Sequence, residues 1–320
     1  MRQNNKRVGA SYRPPDSVAD GPFAVVRREA ENEGFVATGF SKVGRPPFFE
    51  KFETWLAGGN HGDMQWLERN TEIRADPRLL LEGCESIISL AYPYSPKKPS
   101  TADNLRAARF TEPQKKDYHF RIKEKAQRVA QRVSVLYPGS RWRVCVDSAP
   151  VLERSFAYLS GIGFIGKNNM LIIPGYGSFV FLAEVLTTAG LPAPQTSPLE
   201  NQCGECQLCV HACPTGALEM PFSLDAKKCL SYLTIEYKGP IESETGRKMG
   251  DCFFGCDVCQ EVCPFNGQNA GSEIAMPFSD DILDMTKKEF KKVFGNTAFS
   301  RSGLEKLRNN IMAMRKDGII

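Results

Sequence analysis

The sequence predicts a mixed α+β chain whose C-terminal third carries a cysteine-rich module and a short helical tail. Three observations carry that reading. Strand-like apolar runs alternate with helix-spaced ones as far as Leu191. Nine of the eleven cysteines fall between Cys203 and Cys263. From Asp281 onward the pattern turns helical and basic.

The elements follow in order. Pro22 opens a helix that Gly34 closes, with a strand over Phe35–Phe40 behind it. Phe49, Phe52 and Leu56 share one helix face, and Ser86–Tyr92 reads as a buried strand. Between Lys115 and Leu136, Tyr118, Ile122, Val129, Val133 and Leu136 keep helical spacing up to Pro138-Gly139. Arg141–Asp147 is the next strand, followed by a helix expected to start at Ser148 as N-cap, with Pro150 just inside it. Strands at Met170–Ile173 and Phe179–Val185 complete the layer. Three prolines between Leu191 and Pro198 mark a connection, so the units are expected at 20–195, 196–272 and 273–320.

Composition narrows the function. At 320 residues, 42% hydrophobic and 24% charged, the chain can bury a sizeable core. No run approaches the ~18 apolar residues of a membrane helix. The charged N-terminus is followed by no apolar stretch of the kind a secretion signal needs, so a cytoplasmic protein without a membrane partner is expected. A net charge of +4 permits a nucleic-acid partner without demanding one. In a reducing compartment the cysteines read as metal or cluster ligands before disulfides.

Their spacing is specific. Cys203-x-x-Cys206-x-x-Cys209-x-x-x-Cys213-Pro214 is the bacterial ferredoxin run, whose fourth cysteine serves the other cluster of a pair. Cys256-x-x-Cys259-x-x-x-Cys263-Pro264 repeats its last three positions. Phe253 stands where a first cysteine would fall and Cys252 misses that register by one, which makes Cys229 the better eighth ligand. Two [4Fe–4S] clusters follow: Cys203, Cys206, Cys209 and Cys263 for one; Cys213, Cys229, Cys256 and Cys259 for the other. A pair of zinc sites is the alternative, though evenly spaced triplets ending in Cys-Pro fit tetrahedral zinc poorly.

Other signals are weaker. Gly161-Ile162-Gly163-Phe164-Ile165-Gly166 matches the dinucleotide fingerprint, but it follows a helix and leads to a strand, the reverse of the required context. A tight turn is the plainer reading, with Lys167 and Asn168 behind it able to hold a ligand. Asp147, at a strand end, either supports a helix N-terminus or donates a proton into a cavity, and the second role requires burial or a bound cofactor to raise its pKa. Basic runs at Lys115–Arg132 and Lys287–Lys316 are solvated helix faces or a phosphate-backbone surface.

Taken together, the segments resemble epoxyqueuosine reductase, the corrinoid-dependent family of the last step of queuosine synthesis in tRNA. The resemblance rests on His61-Gly62-Asp63-Met64-Gln65-Trp66-Leu67-Glu68-Arg69-Asn70, Asp76-Pro77-Arg78-Leu79-Leu80-Leu81, Ser89-Leu90-Ala91-Tyr92-Pro93-Tyr94, Val146-Asp147-Ser148-Ala149-Pro150-Val151-Leu152-Glu153-Arg154 and Gly166-Lys167-Asn168. The first cysteine run, Ser231-Tyr232-Leu233-Thr234-Ile235-Glu236 and Gly255-Cys256-Asp257-Val258-Cys259-Gln260 complete it.

That resemblance implies a nitroreductase-like, cobalamin-binding N-terminal layer, similar to that of reductive dehalogenases, before a ferredoxin-like double-cluster module. It implies the eight ligands derived above, Asp147 as proton donor, and cobalamin contacts from Arg69, His119, Lys167 and Asn168. The expected partners are tRNA carrying epoxyqueuosine and an external low-potential electron donor, with the enzyme a monomer. One segment departs from the family: Arg109-Phe110-Thr111-Glu112-Pro113-Gln114-Lys115-Lys116-Asp117-Tyr118-His119 is longer and lacks the family's glycine. A corrinoid enzyme acting on a small molecule and a ferredoxin-type electron carrier are the competing readings.

Overall fold

The computed structural model describes residues 21–191, 197–267 and 271–315. The charged N-terminus and most of the proline-rich connection lie outside them. In chain order come α1 (Pro22–Asn32), β1 (Ala37–Lys42), α2 (Phe49–Ala57), α3 (Thr71–Ala75), β2 (Ser86–Pro93), β3 (Lys98–Thr101) and β4 (Arg106–Ala107). Then follow α4 (Tyr118–Leu136), β5 (Trp142–Cys145), α5 (Glu153–Leu159), β6 (Phe164–Ile165), β7 (Leu171–Ile172) and β8 (Val180–Thr187). The cysteine-rich stretch adds α6 (Leu208–His211), α7 (Leu230–Ile235), α8 (Ser243–Lys248), β9 (Cys252–Phe254) and α9 (Val258–Glu261). Strand β10 (Ser272–Met276) leads to α10 (Ser279–Asp284), α11 (Lys287–Phe294) and α12 (Leu304–Arg315).

The main sheet is antiparallel throughout, in the order β1-β2-β8-β5. Alternation along β2 sends Ile88 and Leu90 to one face and Ile87 to the other. On the first face α1 and α4 lay down Phe23, Val26, Ile122, Val129 and Val133, all buried. On the second, Phe156 of α5 packs against Ile87 and Leu186, and Ala157 against Ala91 and Ile162. Each such large side chain removed from water contributes about 1.5–3 kcal/mol. Glu184 also points into this second face. Burial drives its carboxyl far above the usual range, and the Ser89 hydroxyl donates to Oε2 at 2.7 Å.

Three local readings shift. The first strand runs from Ala37 rather than Phe35, because Phe35 N–H still bonds Ala30 O across Gly34, a residue at φ 89. The long helix starts at Tyr118, where Asp117 caps it by accepting the His119 N–H at 2.9 Å. The helix expected from Ser148 begins only at Glu153, and the Ser148 hydroxyl turns back to Val146 O. Asp147 sits there at φ 55, in the left-handed region, so the chain makes a turn before it can coil.

The glycine triplet is architectural. Gly161, at φ 73, follows the C-cap of α5, and a Cβ on Gly163 would lie 2.6 Å from Ile172 O across the β6–β7 hairpin.

A second sheet, β10-β3-β4-β9, joins residues from all three parts of the chain. Beneath it one core unites Leu105 and Ala107 with Leu230 and Phe253, and with Phe290, Phe294, Phe299, Leu307 and Ile311 of the tail. The tail is therefore helical but not appended: its apolar face packs inward. Among the described residues no helix is long and apolar enough to cross a membrane.

Candidate active site

The two cysteine runs fold onto each other because α6 and α9 lie side by side, each a single turn between ligand-spaced thiols. Cys203, Cys206, Cys209 and Cys263 line one cavity, with Lys167 and Asn168 at its edge. Of the other four, Cys213 acts electrostatically on Cys229, and Cys229 on Cys256. Burial pushes the Cys256 thiol up to about 12, with the charge of Cys229 adding to it. Cys259 is raised by burial and then by the charges of Cys256, Cys229, Cys209 and Cys213. An apolar cavity ringed by four thiols suits a thiolate-ligated cluster. Cys252 is elsewhere in kind: it is buried in β9 and its Sγ faces the carbonyls of Phe254 and Gly255 at 3.6 and 3.5 Å.

Asp147 occupies a second site. The Tyr118 hydroxyl donates to its Oδ2 at 2.6 Å, His119 Nε2 stands 3.0 Å from the same oxygen, and Arg301 Nη1 stands 3.6 Å away. Its backbone N–H donates to Glu153 Oε1 at 2.6 Å. Burial alone would raise this carboxyl, but the close contact of His119, the hydrogen bond from the Tyr118 hydroxyl and the charge of Arg301 hold it at about 2. The side chain is nonetheless 52% exposed. Arg154, also open to solvent, is depressed by desolvation, and burial with the Asp147 charge pushes Glu153 up to about 8. Groups that water can touch while protein surrounds them lie on the floor of a recess.

The predicted cofactor contacts do not gather in one place. His119 is in the recess, its Nδ1 held 2.6 Å from Asp117 Oδ1. Lys167 donates to Gly204 O and Asn168 to Cys259 O, so both belong to the thiol side. Arg69 is exposed. Arg154 connects the two regions by donating to Asn169 O while it feels the Asp147 and Glu153 charges. The departing segment divides in function. Arg109 is buried against Glu261 and Asp257, at 2.6 and 3.3 Å, and fastens the layer to the cysteine module, while its far end delivers Tyr118 and His119 to Asp147.

Tyr118, Glu153 and Arg301 escape the sequence reading as site residues. Helical spacing places the Tyr118 ring correctly, stacked 4.4 Å from Phe181, but is silent about its hydroxyl. Glu153 follows Asp147 by six residues, and only the turn brings them together.

A recess with one held carboxylate, in a chain whose clustered cysteines put four thiols around one cavity, has the make-up of an iron–sulfur oxidoreductase. The family profile described as "4Fe-4S double cluster binding domain" matches residues 202–266, and that described as "Epoxyqueuosine reductase QueG, DUF1730" matches 74–148. The epoxyqueuosine reductase of Cellulophaga algicola is 37% identical over 300 residues, covering 90% of this chain and 96% of that protein. That of Escherichia coli K12 is 33% identical over 295 residues, covering 88% and 77%. A crystal structure of epoxyqueuosine reductase with an epoxyqueuosine-modified tRNA-Tyr stem loop superposes with a TM-score of 0.81 at 30% identity, covering 92% of this chain and 81% of that one. The Bacillus subtilis enzyme, solved with its catalytic aspartate loop swung out of the active site, gives 0.80 at 29%, covering 92% and 82%. The chain belongs to the epoxyqueuosine reductase family.

Proposed function

We propose that this protein reduces epoxyqueuosine to queuosine in the anticodon loop of tRNA, with Asp147 as the proton donor. The observation that carries the proposal is the Asp147 turn, an aspartate gripped by Tyr118 and His119 on a recess floor that Arg154 links to the thiol-lined cavity. In this reading Cys203, Cys206, Cys209 and Cys263 hold one [4Fe–4S] cluster and Cys213, Cys229, Cys256 and Cys259 the other. The double-cluster profile supports the pair, and the shared cavity supports the first set of ligands.

The N-terminal layer, 20–195, is the nitroreductase-like unit that would hold cobalamin in the recess; residues 196–272 would carry the clusters, and the described residues of the 273–320 tail close the second core. Clusters and cobalamin, when bound, would supply the two electrons, drawn from an external low-potential donor. His119 and Arg154 are the recess groups placed to hold the corrinoid, while Lys167 and Asn168 shape the wall between it and the first cluster. The enzyme works as a monomer in the cytoplasm, where tRNA is.

The chain's own contribution is proton handling. Loss of the epoxide oxygen consumes two electrons and two protons and leaves an alkene and water. Asp147 gives one of the two protons to the departing oxygen, solvent gives the other, and Asp147 returns to the ionised state that the Tyr118 hydroxyl favours. The modified base must leave its stack to reach this floor.

Anaerobic reconstitution with cobalamin and epoxyqueuosine-tRNA, read by nucleoside mass spectrometry, tests the proposal. Asp147→Asn is expected to keep both clusters and lose about 10²–10⁴-fold in turnover. Reduction of the epoxide by that variant at the wild-type rate would remove Asp147 from the acid role.

A further inference from the structure

The 298–301 turn between α11 and α12 is held firmly. Phe299 is fully buried among Phe254, Phe294 and Phe253, with ring centroids at 4.7, 5.2 and 6.3 Å. Just before it, Asn296 O accepts the Asp117 N–H at 2.7 Å, fastening the tail to the corner that bears His119. Arg301 is thereby delivered into the recess, with Nη1 3.0 Å from His119 Nε2 and 3.6 Å from Asp147 Oδ2.

Nε2 faces a choice. Nδ1 points at the Asp117 carboxylate and so carries a hydrogen. Nε2 then either accepts from Arg301 through its lone pair or, protonated, donates to Asp147. It cannot do both. While the guanidinium is in place, a second proton on the ring would put two cations 3.0 Å apart. The other groups facing Asp147 are Tyr118 on α4, Glu153 and Arg154 on α5, Tyr94 beyond β2 and Glu236 at the end of α7.

The Arg301 side chain is 49% exposed, so an outside anion can reach it. Leading to it, α11 buries Phe290 and Phe294 and presents Lys287, Lys288, Lys291 and Lys292 to solvent. An RNA substrate brings phosphodiesters to such a surface, and a guanidinium fork suits phosphate better than it suits one carboxylate oxygen at 3.6 Å.

We propose that Arg301 is a phosphate-binding residue that also locks the acid: in the free enzyme it occupies His119 Nε2 and the Oδ2 side of Asp147, and a phosphodiester of the bound anticodon loop draws it away. Nε2 then takes a proton from solvent and passes it to Oδ2, and Asp147 passes it to the departing oxygen. The imidazole ends neutral, Asp147 ends ionised and Arg301 stays charged throughout. This deepens the reading of Asp147 as the acid and rests on it.

The test uses the holoenzyme and a fluorescein-labelled anticodon stem loop carrying queuosine, with binding followed by anisotropy across a salt series. Arg301→Ala is expected to weaken binding about tenfold and flatten the slope of log Kd against log salt by about one, with partial recovery in Arg301→Lys. Unaltered cluster absorbance in both variants reports an intact fold. Asp147→Asn, by removing a competitor for the guanidinium, should tighten binding severalfold in the wild-type background and not in Arg301→Ala. Unchanged affinity and slope in Arg301→Ala, or equal tightening in both backgrounds, overturns the lock. Full turnover by Asp147→Asn would instead overturn the acid assignment and leave the phosphate contact measurable.

Discussion

Glu153 Oε1 accepts the backbone N–H of Asp147 at 2.6 Å, and this bond closes the left-handed turn on which the aspartate is mounted. The geometry explains why α5 starts at Glu153. The side chain of its first residue reaches back over the preceding loop, so residues 148–152 must circle around it. Ending the bond should let the turn swing. Glu153→Ala is expected to lower kcat by up to about a hundredfold with little change in KM, while Glu153→Gln, which keeps an acceptor oxygen, retains most activity.

The same residue gives a pH dependence of stability. Burial and the Asp147 charge raise the Glu153 carboxyl from 4.5 to about 8. Below 4.5 it is protonated in folded and unfolded chains alike. Between 4.5 and 8 only the unfolded chain ionises, so stability falls across that window and levels off above it. Glu153→Gln does not titrate. Its melting temperature should gain on the wild type from pH 5 to pH 8, and parallel curves would contradict the assignment.

Tyr118 makes a complementary prediction. Its hydroxyl stabilises the ionised form of Asp147, so Tyr118→Phe should raise the carboxyl's pKa. Where protonated Asp147 limits the rate, the alkaline limb of the single-turnover pH profile moves up by about one to two units, since a hydrogen bond to a charged group is worth ~1.5–3 kcal/mol. A profile that stays in place while the rate drops would assign the hydroxyl to substrate contact instead.

The two sites differ in how far the sequence reveals them, for a physical reason. Spacing within one run is local, so the chain itself puts Cys203, Cys206 and Cys209 together, and the structure lines one cavity with them and Cys263. The recess has no such local rule. It joins the first turn of α4, a loop held by a side chain of α5, and a turn of the tail packed through Phe299. Charge pattern alone reads Arg301 as one more basic tail residue, and helical periodicity reads Tyr118 as one more apolar one. The basic run leading into and along α4 proves largely paired, with Lys116 to Glu124, Arg121 to Glu112 and Arg128 to Glu33.

The thiol assignment is checked by iron content. Cys229→Ser should lose roughly half of the iron, one cluster of two, whereas Cys252→Ser keeps a hydrogen-bonding group beside the Phe254 and Gly255 carbonyls and should lose none. The reverse result would exchange the roles of the two cysteines.

A buried cation in the second core supplies the last prediction. Lys306 on α12 is 5% exposed, its Nζ has no hydrogen-bond partner among the described residues, and it stands 5.5 Å from the Tyr237 ring centroid. Desolvation, with some repulsion from Lys238, lowers it from 10.5 to about 8. The folded chain therefore binds this proton more weakly than the unfolded chain. The stabilising effect of a neutral amine is complete above 10.5 and is lost as pH falls through about 8, which leaves a charged, poorly solvated ammonium at pH 7. The ring face offsets only part of that cost. Lys306→Met keeps the aliphatic stem and removes the charge, so it should raise the melting temperature at pH 7, with the gain shrinking toward pH 10. A loss of stability at pH 7 would mean that the ammonium has found a stabilising environment within this core.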